Sequence, residues 1–266
     1  MKFLKSLTIV LFSTGILMTA CTTNEEVNPG VAPELPPVAS MTIDFSYFDG
    51  TNIGGRTNAA SNWERAASVV GFWSTVLTAN LTLPVAAFKV AINEKPAYDR
   101  DRGLWVWSYT YDFVGKKYTS ELTGQLQGNE VVWKMYISEQ GGFQNALWYS
   151  GVMKADGTSG YWLLNYNGNN PTEYLRIDWA KEGEDIGTIK FTYTLDGSAE
   201  YGSYIEYSHS SETDFDRTYK VYLSAYEANV TIEWNAETSN GHIMDSYYFQ
   251  DVDYHCWDSD FMDVDC

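Results

Sequence analysis

From Gly103 nearly to its C-terminus the chain alternates apolar and polar residues, and this period of two limits what it can become. Successive side chains of a strand point to opposite faces, so sustained alternation describes sheet with one buried and one wet face. Trp105, Trp107, Tyr109, Tyr111 and Phe113 fall on one side, and Val106, Ser108, Thr110 and Asp112 on the other. The pattern returns in Val131, Trp133, Met135 and Ile137, and again in Ile189, Phe191, Tyr193 and Leu195. It closes with Tyr219, Val221 and Leu223, then Val230, Ile232 and Trp234. Turn signals such as Gly115-Lys116, Gly128-Asn129, Asp156-Gly157, Gly183-Glu184, Asp196-Gly197 and Asn240-Gly241 punctuate these runs. Their spacing leaves no room for crossover helices. The chain is therefore expected to be mainly β, an antiparallel up-and-down meander of about 10 to 11 strands. A sheet that wide has to curl into a barrel or half-barrel.

A different pattern precedes it. Ser61-Asn62-Trp63-Glu64 reads as a capping box and opens a run containing Ala66, Ala67, Val69, Val70, Phe72, Trp73, Val76 and Leu77. This predicts a helix over about 62–93, broken or kinked at Pro84 and ended before Pro96. Its apolar residues lie nearly all round, so it must be buried, and the concave face of the curled sheet is the place for it. A membrane span over 66–92 is opposed by Arg65, Ser74, Thr75, Thr78, Asn80, Pro84 and Lys89. A membrane-spanning β-barrel would turn its polar face to the lumen and leave the helix without an apolar partner.

Lys2 and Lys5 precede an apolar run from Leu7 to Leu17, too short to cross a bilayer, and the run ends in Met18-Thr19-Ala20-Cys21. This resembles the lipobox of bacterial lipoproteins, with Met18 where leucine is usual. The resemblance implies that residues 1–20 are a signal peptide and that Cys21 is the lipidated first residue of the mature chain. It implies anchoring to the outer membrane of the cell envelope through lipid, without spanning it. Residues 21–40, with Glu25, Glu26, Pro29, Pro33, Pro36 and Pro37, are expected to be a flexible tether, leaving 41–266 as a single domain. The Glu25-Glu26 pair resembles surface-export signals of lipoproteins in the Bacteroidota, so both periplasmic and surface-exposed placement stay open.

The net charge is −18, and loss of Lys2 and Lys5 with the leader takes it to −20. Such a surface repels nucleic acid and anionic headgroups, so membrane attachment rests on the lipid. With Cys21 lipidated, Cys256 and Cys266 are left as an expected disulfide in an exported, oxidising setting. The alternative there is a metal site, because Asp251, Asp253, Asp258, Asp260, Asp263 and Asp265 crowd the same tail with His255. No Asp-x-Asp-x-Asp-Gly loop with a closing Glu is present, however, and no metal ligand is assigned.

The chain contains no Gly-x-Ser-x-Gly elbow, His-Glu-x-x-His, phosphate loop or dinucleotide fingerprint, so no catalytic or cofactor-binding residue is assigned. His209, His242 and His255 fall near turns or in the tail and read as solvated. Asp178, Glu206 and Glu233 are the strand carboxylates that a hydrolase could use, though they read first as wet-face residues. Among the aromatics, Trp105, Trp107, Trp133 and Trp234 belong to the apolar face. Tyr136, Trp162, Tyr204 and Tyr222 are expected on the opposite face, where flat rings can stack on sugars. In outline a curved sheet covered by a helix resembles the lipoprotein-carrier and lipid-binding folds of the bacterial envelope. A non-catalytic binding or carrier protein for an apolar ligand held between helix and sheet is the leading expectation. A glycan- or protein-binding surface comes second, and a carboxylate-based hydrolase third.

Overall fold

The computed structural model describes residues 30–49, 61–166, 168–210 and 214–266. The leader, Cys21 and the tether as far as residue 29 lie outside the described residues. Fourteen strands form one antiparallel sheet in which every strand pairs with its neighbours in sequence. They are β1 Ala97–Asp99, β2 Leu104–Phe113, β3 Lys116–Gln127, β4 Glu130–Glu139, β5 Ala146–Lys154, β6 Ser159–Asn165 and β7 Glu173–Glu182. The series continues with β8 Asp185–Tyr193, β9 Tyr204–His209, β10 Arg217–Leu223, β11 Ala228–Trp234, β12 Gly241–Asp245, β13 His255–Trp257 and β14 Asp263–Val264. The meander is thus as expected, but longer than 10 to 11 strands. β1, β13 and β14 add two or three residues each, too few to show a period. The sheet stays open, with β1 at one edge and β14 at the other.

The alternation is carried through faithfully. Trp107, Tyr109, Val131, Trp133, Met135, Ile137, Ile189, Phe191, Val221, Val230, Ile232 and Trp234 are all buried. The β2–β3 hairpin turns one residue earlier than expected, on Val114 and Gly115, both with positive φ (47° and 72°). Positive φ at both central residues is the requirement of a type I′ turn, whose twist matches that of the strands it joins.

The one long helix among the described residues, α1 (Asn62–Ala91), packs against the sheet. The capping box is formed: Ser61 Oγ accepts from the Glu64 amide at 3.1 Å, and Glu64 Oε2 accepts from the Ser61 amide at 3.0 Å. The helix runs through Pro84 as one element, so the expected break does not occur. Nor is it buried all round. Trp63, Ala66, Val70, Trp73, Leu77, Leu81, Pro84, Phe88 and Ala91 form one buried stripe at three- and four-residue spacing, while Phe72, Thr75, Thr78 and Thr82 face outward. By length and composition α1 could cross a membrane, yet here its stripe packs on the sheet.

The helix also shows that the sheet is bent. Its N-terminal turn meets β12 and β13, and its C-terminal half meets β2 and β3. Roughly 33 Å of helix separates Arg65, bonded to Asp245, from Ala87, bonded to Tyr109. Flat strands at ordinary spacing would set β2 and β12 roughly 48 Å apart. The strands must curl for one helix to touch both.

The cover on the buried face has a second part. Residues 32–48 lie against the sheet, with Ala32, Leu35 and Val38 packed on the core and Met41 and Phe48 buried. The stretch expected as free tether up to Ser40 is therefore docked from Ala32 onward. Its Ser40 hydroxyl accepts from Trp162 Nε1 at 3.0 Å, and its Asp44 carbonyl accepts from the Tyr219 hydroxyl at 2.6 Å. Proline suits the segment because extended backbone without ladder bonds is all that this packing asks of it.

At the far end Cys256 and Cys266 are joined as a disulfide, their Cα atoms 5.2 Å apart. The tail carboxylates are used within the fold. Asp258 caps the turn to Met262, Asp251 pairs with His255 at 3.1 Å, and Asp263 accepts from the Asn62 amide at 2.8 Å. Among the described residues no group of three His, Cys, Asp or Glu converges as a metal site.

Candidate functional site

An apolar-walled hollow lies where the middle of α1 meets the loop ends of β6 to β11. Phe72, Trp73, Val76 and Asn80 supply the helix wall of this cavity of about 410 Å³. Tyr166, Tyr174, Tyr193, Ser203, Leu223, Ala225 and Tyr226 supply the sheet side, and Glu200 stands at the rim. The rings touch one another edge-on: Phe72 with Trp73 at 6.0 Å, Tyr166 with Tyr174 at 5.8 Å and Tyr174 with Tyr193 at 6.4 Å between centroids. Trp73 and Tyr174 are buried at the base, whereas Phe72, Tyr166 and Tyr226 are each more than half exposed at the mouth. Burial raises the Tyr174 phenol, so it stays neutral at any physiological pH. The Ser203 and Ser224 hydroxyls satisfy each other at 2.8 Å.

A second, more open hollow of about 350 Å³ flanks the other side of the helix. Leu77, Leu81, Val85 and Ala86 line it opposite Ile43, Phe45 and Phe113. Apolar space therefore borders α1 on both sides, and the aromatic cavity is the more enclosed of the two.

The wet face of the sheet looks different from the expectation. Trp162, expected there, is in the core at 1% exposure, its ring against Tyr149 and Phe88. Tyr204 does lie on the wet face, but Lys190 Nζ sits 3.7 Å above its ring. Tyr161 is covered in the same way by the Arg176 guanidinium at 4.2 Å. Tyr222 leans on Tyr204, and Tyr136 is half-buried. These rings are occupied by cations and neighbours, and they do not form a continuous platform for a sugar.

The three strand carboxylates divide. Asp178 and Glu206 border one shallow groove with Lys190, which pairs across strands with both. Arg176 forks onto Asp178 with bonds of 2.5 to 3.0 Å, and Lys190 lies 3.8 Å from Glu206. Each carboxylate thus already has a cationic partner. Glu233 stands apart and bonds His242 Nε2 at 2.8 Å. His242 is not solvated as expected: its ring lies between Tyr254 at 3.9 Å and Phe215 at 4.3 Å. His255 stacks on Phe249 at 3.7 Å, and His209 lies 3.7 Å from Glu182. None of the three imidazoles faces the aromatic cavity.

Sequence reasoning expected an apolar ligand between helix and sheet and placed Tyr193 on the buried face, but it assigned no residue to the cavity. Its walls come from one helix face and several separate strand ends, and no local pattern unites them. Compared with family models, curated proteins and solved structures, the chain matches none. What the fold and cavity define is a class: an open, curled antiparallel meander with one helix across its buried face and an aromatic hollow at the seam.

Proposed function

We propose that this chain is a lipid-anchored envelope lipoprotein that binds an apolar or amphipathic small molecule in the aromatic cavity beside α1. The observation that carries the reading is the cavity itself. About 410 Å³ walled by six aromatic side chains is in the size and composition range of small-molecule sites. Three of those rings, Phe72, Tyr166 and Tyr226, are more than half exposed and gather at one mouth, over a base formed by the buried Trp73 and Tyr174. Among the described lining residues the one aliphatic hydroxyl, Ser203, is bonded to Ser224 and has no imidazole or lysine beside it to act as a base, which suits holding a ligand more than transforming it. The lipobox resemblance at Cys21 supports anchoring at the envelope.

Native mass spectrometry of the protein purified without detergent-stripping is the test of binding. Co-purifying small molecules lost in a Val76→Trp variant, with the fold retained by circular dichroism, are the expected result. No bound species, together with no change of melting temperature on adding a panel of neutral and cationic aromatic small molecules, would sink the reading. For the anchor, palmitate labelling of the full chain should be abolished by Cys21→Ser.

A further inference from the structure

The cavity's charge pattern says which ligands it suits. Among the described residues its lining contains one carboxylate, Glu200, and no Lys, Arg or His, so an anion entering it would leave water without meeting a cation. Fatty-acid carboxylates and phosphate headgroups are disfavoured on that ground. A cation meets two favourable features there. The faces of aromatic rings attract positive charge, most strongly where water is excluded, and Trp73, Tyr174 and Tyr193 form the sheltered part of the wall. Glu200 is exposed at the rim, where its carboxylate accepts from the Ser198 hydroxyl. That hydrogen bond, with the Glu200 backbone amide, holds the carboxyl below its ordinary range, so it is ionised at neutral pH. The protein's net charge of −18 adds a long-range attraction of the same sign.

Elsewhere the molecule puts the same chemistry to use. Arg65 lies over Tyr248 at 4.5 Å, Arg176 over Tyr161 and Lys190 over Tyr204, so three tyrosine faces already carry an internal cation. Among the described residues no Lys or Arg lies over a tyrosine of the cavity. Resting on the binding reading above, we infer that the aromatic cavity selects an organic ammonium ion with apolar substituents, the rings enclosing the alkyl groups and Glu200 facing the charge.

Three probes that share a benzyl group separate the possibilities: benzyltrimethylammonium, its uncharged isostere neopentylbenzene, and the anion phenylacetate. Isothermal titration of the purified protein should show the ammonium binding about tenfold more tightly than the isostere, with no binding of the anion. Glu200→Gln should shrink the difference between cation and isostere while leaving the isostere's affinity unchanged, and Val76→Trp or Ala225→Trp should remove both. Equal affinity for cation and isostere overturns the charge preference and leaves the cavity reading standing. Binding of neither probe overturns both.

Discussion

Arg65 and Asp245, 180 residues apart, are joined by two hydrogen bonds to a single oxygen, with Nη2 at 2.6 Å and Nε at 2.8 Å from Asp245 Oδ2. The other oxygen, Oδ1, caps the short helix α2 (Ser246–Phe249) through the Tyr248 amide at 3.1 Å. The carboxylate side chain is completely buried, while Arg65 retains 22% exposure. This pair fixes the first turn of α1 to the end of β12.

Removing one partner of a buried pair leaves the other uncompensated, at a cost of about 3 to 5 kcal/mol. Because Arg65 can still reach water, Asp245→Asn should fall at the low end, about 3 kcal/mol. Urea denaturation measures it; a loss below 1 kcal/mol would mean that packing of the helix stripe alone seats the helix.

Val114 is a β-branched residue held at φ 47° with its side chain 83% exposed, so it has strain and little packing to offset it. Asn-Gly is the favoured pair for a type I′ turn. Val114→Asn is expected to raise stability by about 1 kcal/mol and the melting temperature by a few degrees. A lower melting temperature contradicts the turn assignment.

The buried phenols predict a sharp alkaline limit. Burial pushes Tyr47 up to about 12 and raises Tyr109, Tyr149, Tyr174 and Tyr219 as well. In the unfolded chain these groups ionise near 10. Their contribution is therefore fully present below pH 10 and is lost as pH rises from there through the native values, because the unfolded state then binds fewer protons. Tyrosinate absorbance and circular dichroism followed together should change in one step above pH 10. Early ionisation of these phenols with the fold intact would contradict their burial.

The Cys256–Cys266 bridge closes a ten-residue loop, worth about 2 to 3 kcal/mol in the chain-entropy model. Replacing both cysteines with serine should reduce the urea midpoint accordingly. An unchanged midpoint would show that β13 and β14 hold without it.

How much of this was readable beforehand depends on whether a residue's neighbours in sequence are also what decides its place. Ile232 sits in a run where only one parity is apolar, and Trp107 and Trp133 in runs where one parity is aromatic or large and apolar while the other is interrupted by Ser108 or Lys134, so their side of the sheet follows directly. Trp162 does not, because Tyr161 and Leu163 beside it are also apolar and either parity looks plausible. Its side is settled across the strand by Gly151, where an added Cβ would lie 2.4 Å from the Trp162 ring. Residues 32–48 were illegible for another reason: a Pro-rich segment docked by single side chains has no period to detect. The aromatic cavity shares that problem, since Trp73, Tyr174 and Tyr226 meet only through the curl of the sheet.

The seat of the helix has a consequence for the order of assembly. Asn62 donates from its backbone to Asp263 and from its side chain to the Cys256 carbonyl, partners 201 and 194 residues later. A chain delivered N-terminus first, from a ribosome or through a pore, can zip its hairpins one after another because each pairs with the next. The C-terminal half of the helix meets β2 and β3 as soon as they emerge, but its first turn must wait for its partners until almost the last residue has emerged. Truncation near the C-terminus therefore removes a clasp on the earliest element, and the chain carries its own test of having been delivered whole.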